Sequence, residues 1–507
     1  MNKLGIALIS GAVVLIGIGS YVAVRGDSSI RKIGTLSLTG LRAAAPPVTI
    51  ESVNGCRLAI PMDDGESYRM TIDYQMGDPF RTLLDSPVVF SDDGESYGYG
   101  AHDGESWRVV INEEIMPERF EGLLEHNAIR FSPDGARVIY GGLVDGTWRL
   151  YGAGADGRGY DGIGLSGPVF SPDSARVAFP VGRGTRQRMV VDGAEGSSYE
   201  AVVFPTFSPD SKRLAYIAKT DGQYFVVSDG IEGPRFGAVS RPVFSPDSSS
   251  LAYAGGGREA ESSLRVFIDG ISGSPYMTID GPYFTSDSAK VIYVGGTEDG
   301  RYALVEDHEE VAIFDLVGRI ELSEAGGHYG CVARRGDVFY PVIDGEIGDP
   351  ASGLADEFPV FDATGQRTLF LEIGEAGRQR VIVDGRAGEW FDAVGTEGRP
   401  VFSPDSQRYA YAARRGERWH VVVDTDVGAA HDSIRKHTPL FGPGNTVVYS
   451  AVDDGRHSVY INGRESHSFQ NIVAGPVIRA DKHVEYLGTE GAGSDEERLY
   501  RVTQPLR

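Results

Sequence analysis

The sequence has almost no cysteine: two residues, Cys56 and Cys331, in a chain of 507. That excludes a disulfide framework and a four-thiolate zinc site. It is also short of positive charge, with 48 Lys+Arg against 72 Asp+Glu and a formal net charge of −24. A protein that grips a phosphate backbone needs a basic footprint, so nucleic acid is not an expected partner. Beyond Val24 no stretch repeats its apolar residues at helical spacing. Local catalytic and nucleotide-binding signatures are missing too. There is no G-x-x-x-x-G-K-[ST] loop, no H-E-x-x-H pair and no complete acidic calcium loop, and the G-x-S-x-G string at Gly94–Gly98 lies in a turn of the repeat with no helical pattern after it. No cofactor or metal is implied, and the missing motifs point away from an enzyme.

Only one long apolar run is present, Leu4–Val24, uncharged and flanked by Lys3 and Arg25. Its 21 residues suffice to cross a hydrocarbon core of about 30 Å as a helix. The expectation is an N-terminal transmembrane helix in a segment spanning residues 1–28, with cleavage as a signal peptide the alternative. Residues 29–45 read as a linker that contains a strand able to close a ring. A long domain after an N-terminal anchor is expected on the extracytoplasmic side, although Arg25, Arg31 and Lys32 after the run count toward the cytosol.

What the sequence has in excess is glycine, 68 residues, and a repeat that uses it. FSPDG begins at Phe131, and FSPDS begins at Phe170, Phe207, Phe244 and Phe402. Looser copies start at Phe90, Phe284, Phe361 and Phe441, and the weakest at Ile50, Leu322 and Ile478. The anchors recur about every 39 residues, giving twelve repeats. Each repeat reads as four short strands: a strand entered through proline, the Ser-Pro-Asp turn, an alternating strand, a polar turn, and a third strand that ends in Asp-Gly before a short fourth. Asp-Gly between alternating apolar runs is a strong hairpin signal. Four antiparallel strands at this period are the signature of β-propeller blades.

The FSPDS-x-R-x-A-Y element followed by VVVDG resembles the WD40-like repeat of TolB-type propellers, over roughly residues 46–507. The resemblance implies a propeller and says little of activity, because the matching residues occupy turns and cores. The fold expected is all-β, about twelve four-stranded blades. It divides into a first propeller over 46–280 and a second over 281–507, with seven plus five blades or one large ring as alternatives. The last repeat lacks a fourth strand, which Ile33–Leu38 is placed to supply.

The repeated aspartates read as turn residues: Asp134, Asp173, Asp210, Asp247 and Asp405 after proline, and Asp192-Gly193, Asp269-Gly270 and Asp384-Gly385 in the hairpins. Binding candidates are residues that break the repeat. Trp390 lies outside the tryptophan column formed by Trp107, Trp148 and Trp419. His328, Arg334 and Arg335 lie in the most degenerate repeat. The functional expectation is a membrane-anchored, exported scaffold that binds a protein or glycan partner. The competing reading is a propeller-channel enzyme, a polysaccharide lyase or hydrolase.

Overall fold

The computed structural model describes residues 21–23, 29–37, 42–43, 48–52, 54–84, 88–124, 129–164, 166–257, 263–355, 358–395, 398–491 and 496–506. It divides into two compact units, one of residues 1–160, 431–435 and 442–507, the other of 161–430 and 436–441. Apart from two three-residue helical turns, Glu375–Gly377 and Pro443–Asn445, every regular element among the described residues is a strand. The strands form twelve antiparallel sheets of four or five strands, the blades of a β-propeller. They are numbered here 1 to 12 by the order of the repeats. Sheets 4 to 10 lie in the second unit, and sheets 1 to 3 and 12 in the first.

Sheet 4 shows the common plan. Gly162–Ile163 and Val169–Phe170 both pair with Val177–Arg183, which pairs with Arg186–Val191, which pairs with Ala194–Tyr199. In sheet 4 the break in the first strand falls at Gly167-Pro168, and the proline has no N–H to give to the ladder. In sheet 5 the first strand runs unbroken over Ala201–Phe207, but its register slips at Phe204-Pro205, between Val203 and Thr206. The cores lie between neighbouring sheets. Met189 and Tyr199 of sheet 4, for example, pack with Val202, Tyr216 and Phe225 of sheet 5.

The aspartates serve two kinds of turn. Asp134, Asp173, Asp210, Asp247 and Asp405 each accept the hydroxyl of the serine two residues before and the N–H two residues after. In the hairpins, Asp192, Asp269 and Asp384 have φ of about 50°, and Gly193, Gly270 and Gly385 have φ of 82°, 84° and 76°. Two successive positive φ values make the twisted two-residue turn that suits a hairpin. The carboxylate of Asp192 also accepts from Val177 N and Arg176 Nε, and Asp384 does the same for Thr368 and Arg367. Asp269 accepts from Leu251 N. Neighbouring turns are stitched together: Asp173 N, Asp210 N and Asp247 N donate to Ser211, Ser248 and Ser288 of the next sheet.

Of the apolar run Leu4–Val24, only Tyr21–Ala23 fall among the described residues. They form a strand rather than the end of a helix, because their backbone pairs with Ser29–Arg31. The rest of the expected membrane helix lies outside the described residues. Among those described, no helix is long and apolar enough to cross a membrane. Ser29–Ser37 pairs in turn with Glu496–Pro505, so the order in sheet 12 is Tyr21–Ala23, Ser29–Ser37, Glu496–Pro505, His483–Glu490, Asn471–Ile478. Sheet 12 packs on sheet 1, where Leu58 and Met62 meet Ala474, Leu487 and Leu499. The division drawn at 280/281 falls inside the strand Thr278–Phe284 of sheet 7, in the second unit.

Candidate functional site

Because the repeat consumes most Ser, Asp and Arg residues in turns, the informative positions are those where one sheet departs from its equivalents. His328 is not such a position. Its Nδ1 lies 2.6 Å from Asp344, and Asp344 accepts Tyr329 N. That is the hairpin pairing that Arg176, Arg367 and Arg408 make elsewhere with Asp192, Asp384 and Asp424. Arg334 donates to Gly336 O, and Arg335 lies over the Phe314 ring at 4.5 Å. His328 is separated from Arg335 by the seven-residue strand Tyr329–Arg335, a span of about 20 Å. Trp390 sits in sheet 9 under the Arg380 guanidinium, 4.4 Å from its ring centroid. The structure does not bring these four residues together. Both cysteines are buried and free, and burial pushes the Cys331 thiol up to about 12.

A first real departure is Glu485. In register it stands where Ala59, Ala178, Ala215, Ala252 and Ala410 stand in other sheets. It is 1% exposed. Its Oε1 accepts Cys56 N at 2.9 Å, and its Oε2 lies 2.6 Å from Arg479. Arg501 Nε approaches at 3.4 Å, and its NH2 donates to Cys56 O and Asp73. Ordinary turns cap the equivalent N–H with their own aspartate, as Asp173 does for Ala175. The turn of sheet 1 has Asn54-Gly55 there, and the cap comes from sheet 12. Gly55, at φ +125°, leaves the room: a Cβ would collide with Glu485 Oε1. A polar cavity of about 160 Å³ opens beside this network, lined by Asn54, Cys56, Asp73, Asp93, Glu485 and Arg501 among others. Of its charges, Asp73, Glu485, Arg57 and Arg501 are paired with one another, which joins sheet 1 to sheet 12.

The second departure is a row on the first strands of sheets 5 to 10, all in the second unit. Two positions before the residues that pair with Ala215, Ala252, Ile292, Gly330, Leu369 and Ala410 stand Phe204, Arg241, Gly281, Arg319, Phe358 and Arg399. Phe204 is 46% exposed and has φ +55°. Gly281, and Gly475 in sheet 12, fill the equivalent bulge with φ of 111° and 76°. A left-handed residue with a Cβ costs about 1–2 kcal/mol, so Phe204 holds a place that local energetics would assign to glycine. The Arg241 guanidinium lies 5.8 Å from its ring centroid, and Arg241 Nε donates to Thr206. Further along, Tyr283 donates to Asp280, and the Glu321 carboxylate is 3.4 Å from Arg319 and 2.7 Å from Arg399. Arg399 also lies over Phe358, so side chains of sheets 8 and 10 meet across sheet 9. Burial, then the bond to Asp280, push the Tyr283 hydroxyl up to about 12. None of these residues stood out in the sequence; only strand register aligns them.

A third departure is His431, 2% exposed, where sheet 10 has Phe391. Its Nδ1 lies 2.7 Å from Asp453 and its Nε2 3.3 Å from Tyr449 OH. Among the described residues, no group of three or more His, Cys, Asp or Glu is placed to hold a metal ion.

No family model matches the chain, and no curated protein matches it. Solved structures that resemble it include a eukaryotic initiation factor, 13% identical, covering 62% of this chain and 90% of that one with a TM-score of 0.32. TolB from Acinetobacter baumannii is 16% identical, with coverages of 50% and 75% and a TM-score of 0.21. The β-propeller domain of the trilobed protease from Pyrococcus furiosus is 13% identical, with coverages of 62% and 98% and a TM-score of 0.27; its title reports an open velcro topology.

Proposed function

We propose that this chain is a non-enzymatic binding scaffold: a propeller of WD40-like repeats, tethered to a membrane through Leu4–Val24, exported, and presenting the first-strand row of sheets 5 to 10 to a protein or glycan partner. The observation that carries this reading is the Phe204–Arg241 pair, an exposed aromatic in a conformation suited to glycine beside an exposed guanidinium. Aromatic and arginine side chains dominate binding energy at interfaces, and strain kept at an exposed residue points to use rather than to packing. The tether is supported by the uncharged apolar stretch Leu4–Ser20 ahead of the strand Tyr21–Ala23, about the shortest length that spans a hydrocarbon core, and by Lys3 before it.

The test places a photo-crosslinking amino acid at Val243, exposed beside Arg241, in the full chain within intact membranes. A discrete crosslinked species is expected that disappears with Phe204→Gly and Arg241→Gln. Loss of the reading follows if no species forms, or if it forms equally in both variants. Fractionation with and without residues 4–20, a deletion that spares the strand Tyr21–Ala23, tests the tether: the deleted chain should leave the membrane fraction.

A further inference from the structure

The row already shows what it binds well. At sheets 8 to 10 the protein supplies its own carboxylate, Glu321, which lies between Arg319 and Arg399. At sheets 5 and 6 the same row offers a guanidinium with no such carboxylate. Among the described residues no acidic group lies within ion-pair distance of Arg241, whose contacts are the Thr206 hydroxyl and the Phe204 ring. The Phe204 ring lies against that cation, and Val243, 36% exposed, follows Arg241 two residues along the chain.

A group that completes the row therefore carries a carboxylate next to an apolar side chain. Extended peptide delivers both, because side chains two apart project to the same side and alternate ones to the other. A guanidinium can take a carboxylate through two parallel N–H bonds, which a phosphate-rich polymer also offers. The net charge of −24 repels a polyanion over its whole length. A short acidic segment meets that repulsion least.

We propose that the Phe204–Arg241 end of the first-strand row docks an extended acidic peptide segment in which an aspartate or glutamate stands two residues from an apolar one. This rests on the scaffold reading above and names the partner's chemistry.

The experiment measures fluorescence anisotropy of a labelled, capped peptide of four Asp-Leu-Gly units, against the same peptide with Asn for Asp, and against a heparin oligosaccharide. The Asp peptide should bind at least tenfold more tightly than the Asn peptide, and more weakly as salt rises. Arg241→Gln should weaken it at least tenfold. Phe204→Gly should do the same while the protein keeps its cooperative thermal unfolding, since glycine suits that backbone. Equal binding of the Asp and Asn peptides, or equal binding by wild type and Arg241→Gln, overturns the proposal. So does tighter, Arg241-dependent binding of the oligosaccharide, which would make the ligand a polyanion. If the peptide does not bind but the Val243 crosslink to a membrane partner persists and needs Phe204, the scaffold reading stands and the acidic-peptide class fails. If neither is seen, both fail.

Discussion

Replacing Glu485 by alanine tests whether the two ends of the chain are held together by a buried charge. Its side chain is 2% exposed and its two oxygens meet Arg479 at 2.6 Å, Arg501 at 3.4 Å and the Cys56 N–H at 2.9 Å. Removing the carboxylate takes their most buried partner from Arg479 and Arg501, which keep Asp481 at 3.4 Å and Asp73 at 3.3 Å, and leaves one buried N–H without an acceptor. Breaking a buried ion pair from one side costs about 3–5 kcal/mol. An orphaned buried donor costs about 1–3 kcal/mol. The two overlap and both arginines keep a second carboxylate, so the expected loss is about 3 kcal/mol, large against a usual domain stability of about 5–15 kcal/mol. Glu485→Gln keeps an acceptor for Cys56 and should lose less. The matched control is Glu389, whose pair with Arg415 is 68% and 54% exposed. An exposed pair of that kind is worth less than about 1 kcal/mol. Urea denaturation followed by tyrosine and tryptophan fluorescence reads all three. If Glu485→Ala costs no more than Glu389→Ala, the trans-sheet cap does not hold the closure and the reasoning is wrong.

His431 and Asp453 occupy the positions held in sheet 10 by Phe391 and Arg415, whose ring and guanidinium lie 5.1 Å apart. His431→Phe alone should destabilise by leaving Asp453 without its ring nitrogen; adding Asp453→Arg should recover stability, and a double-mutant cycle should show coupling of about 1 kcal/mol or more. Hydrogen bonds from Ser208 and Ser245 first, and from turn N–H groups next, hold Asp210 and Asp247 at about 2, below the usual carboxylate range near 4. A depressed native value means that these turns contribute fully above about pH 4 and lose that contribution as pH falls toward 2. The melting temperature should drop across that window, and less steeply in Asp210→Asn/Asp247→Asn. Burial raises both cysteine thiols, so neither should react with an aromatic disulfide reagent in the native protein, and both should react once it is unfolded in urea.

How far each feature could be read in advance follows from the range of the interactions behind it. The FSPDS and Asp-Gly turns are local: the hydroxyl of Ser208 and the N–H of Lys212 meet Asp210 within four residues. Chemistry of that range is written into adjacent letters, so the all-β fold and its twelve sheets were legible. Glu485 was not, because its partner Cys56 is 429 residues away and HVEYLG reads as one more alternating strand. Phe204 reads as an ordinary strand residue in AVVFPTF until register aligns it with Gly281 and Gly475. His328 drew notice because its repeat had lost Ser-Pro-Asp, yet it pairs with the hairpin aspartate as arginine does elsewhere. Departure from a consensus shows where to look; only strand register separates a stand-in from a new group.

The pairing of Ser29–Ser37 with Glu496–Pro505 also sets a timetable for biosynthesis. A ribosome adds about 5–20 residues per second, so 507 residues take about 25–100 s. Ser29–Ser37 waits nearly that whole interval for Glu496–Pro505. Sheets built from contiguous sequence can fold as they emerge, whereas sheet 12 cannot be completed before Glu496–Pro505 has been made. Until then its early strand stays an open edge, vulnerable to pairing with a second nascent chain. That edge of Ser29–Ser37 is left without its partner for longer than any strand of a sheet built from contiguous sequence.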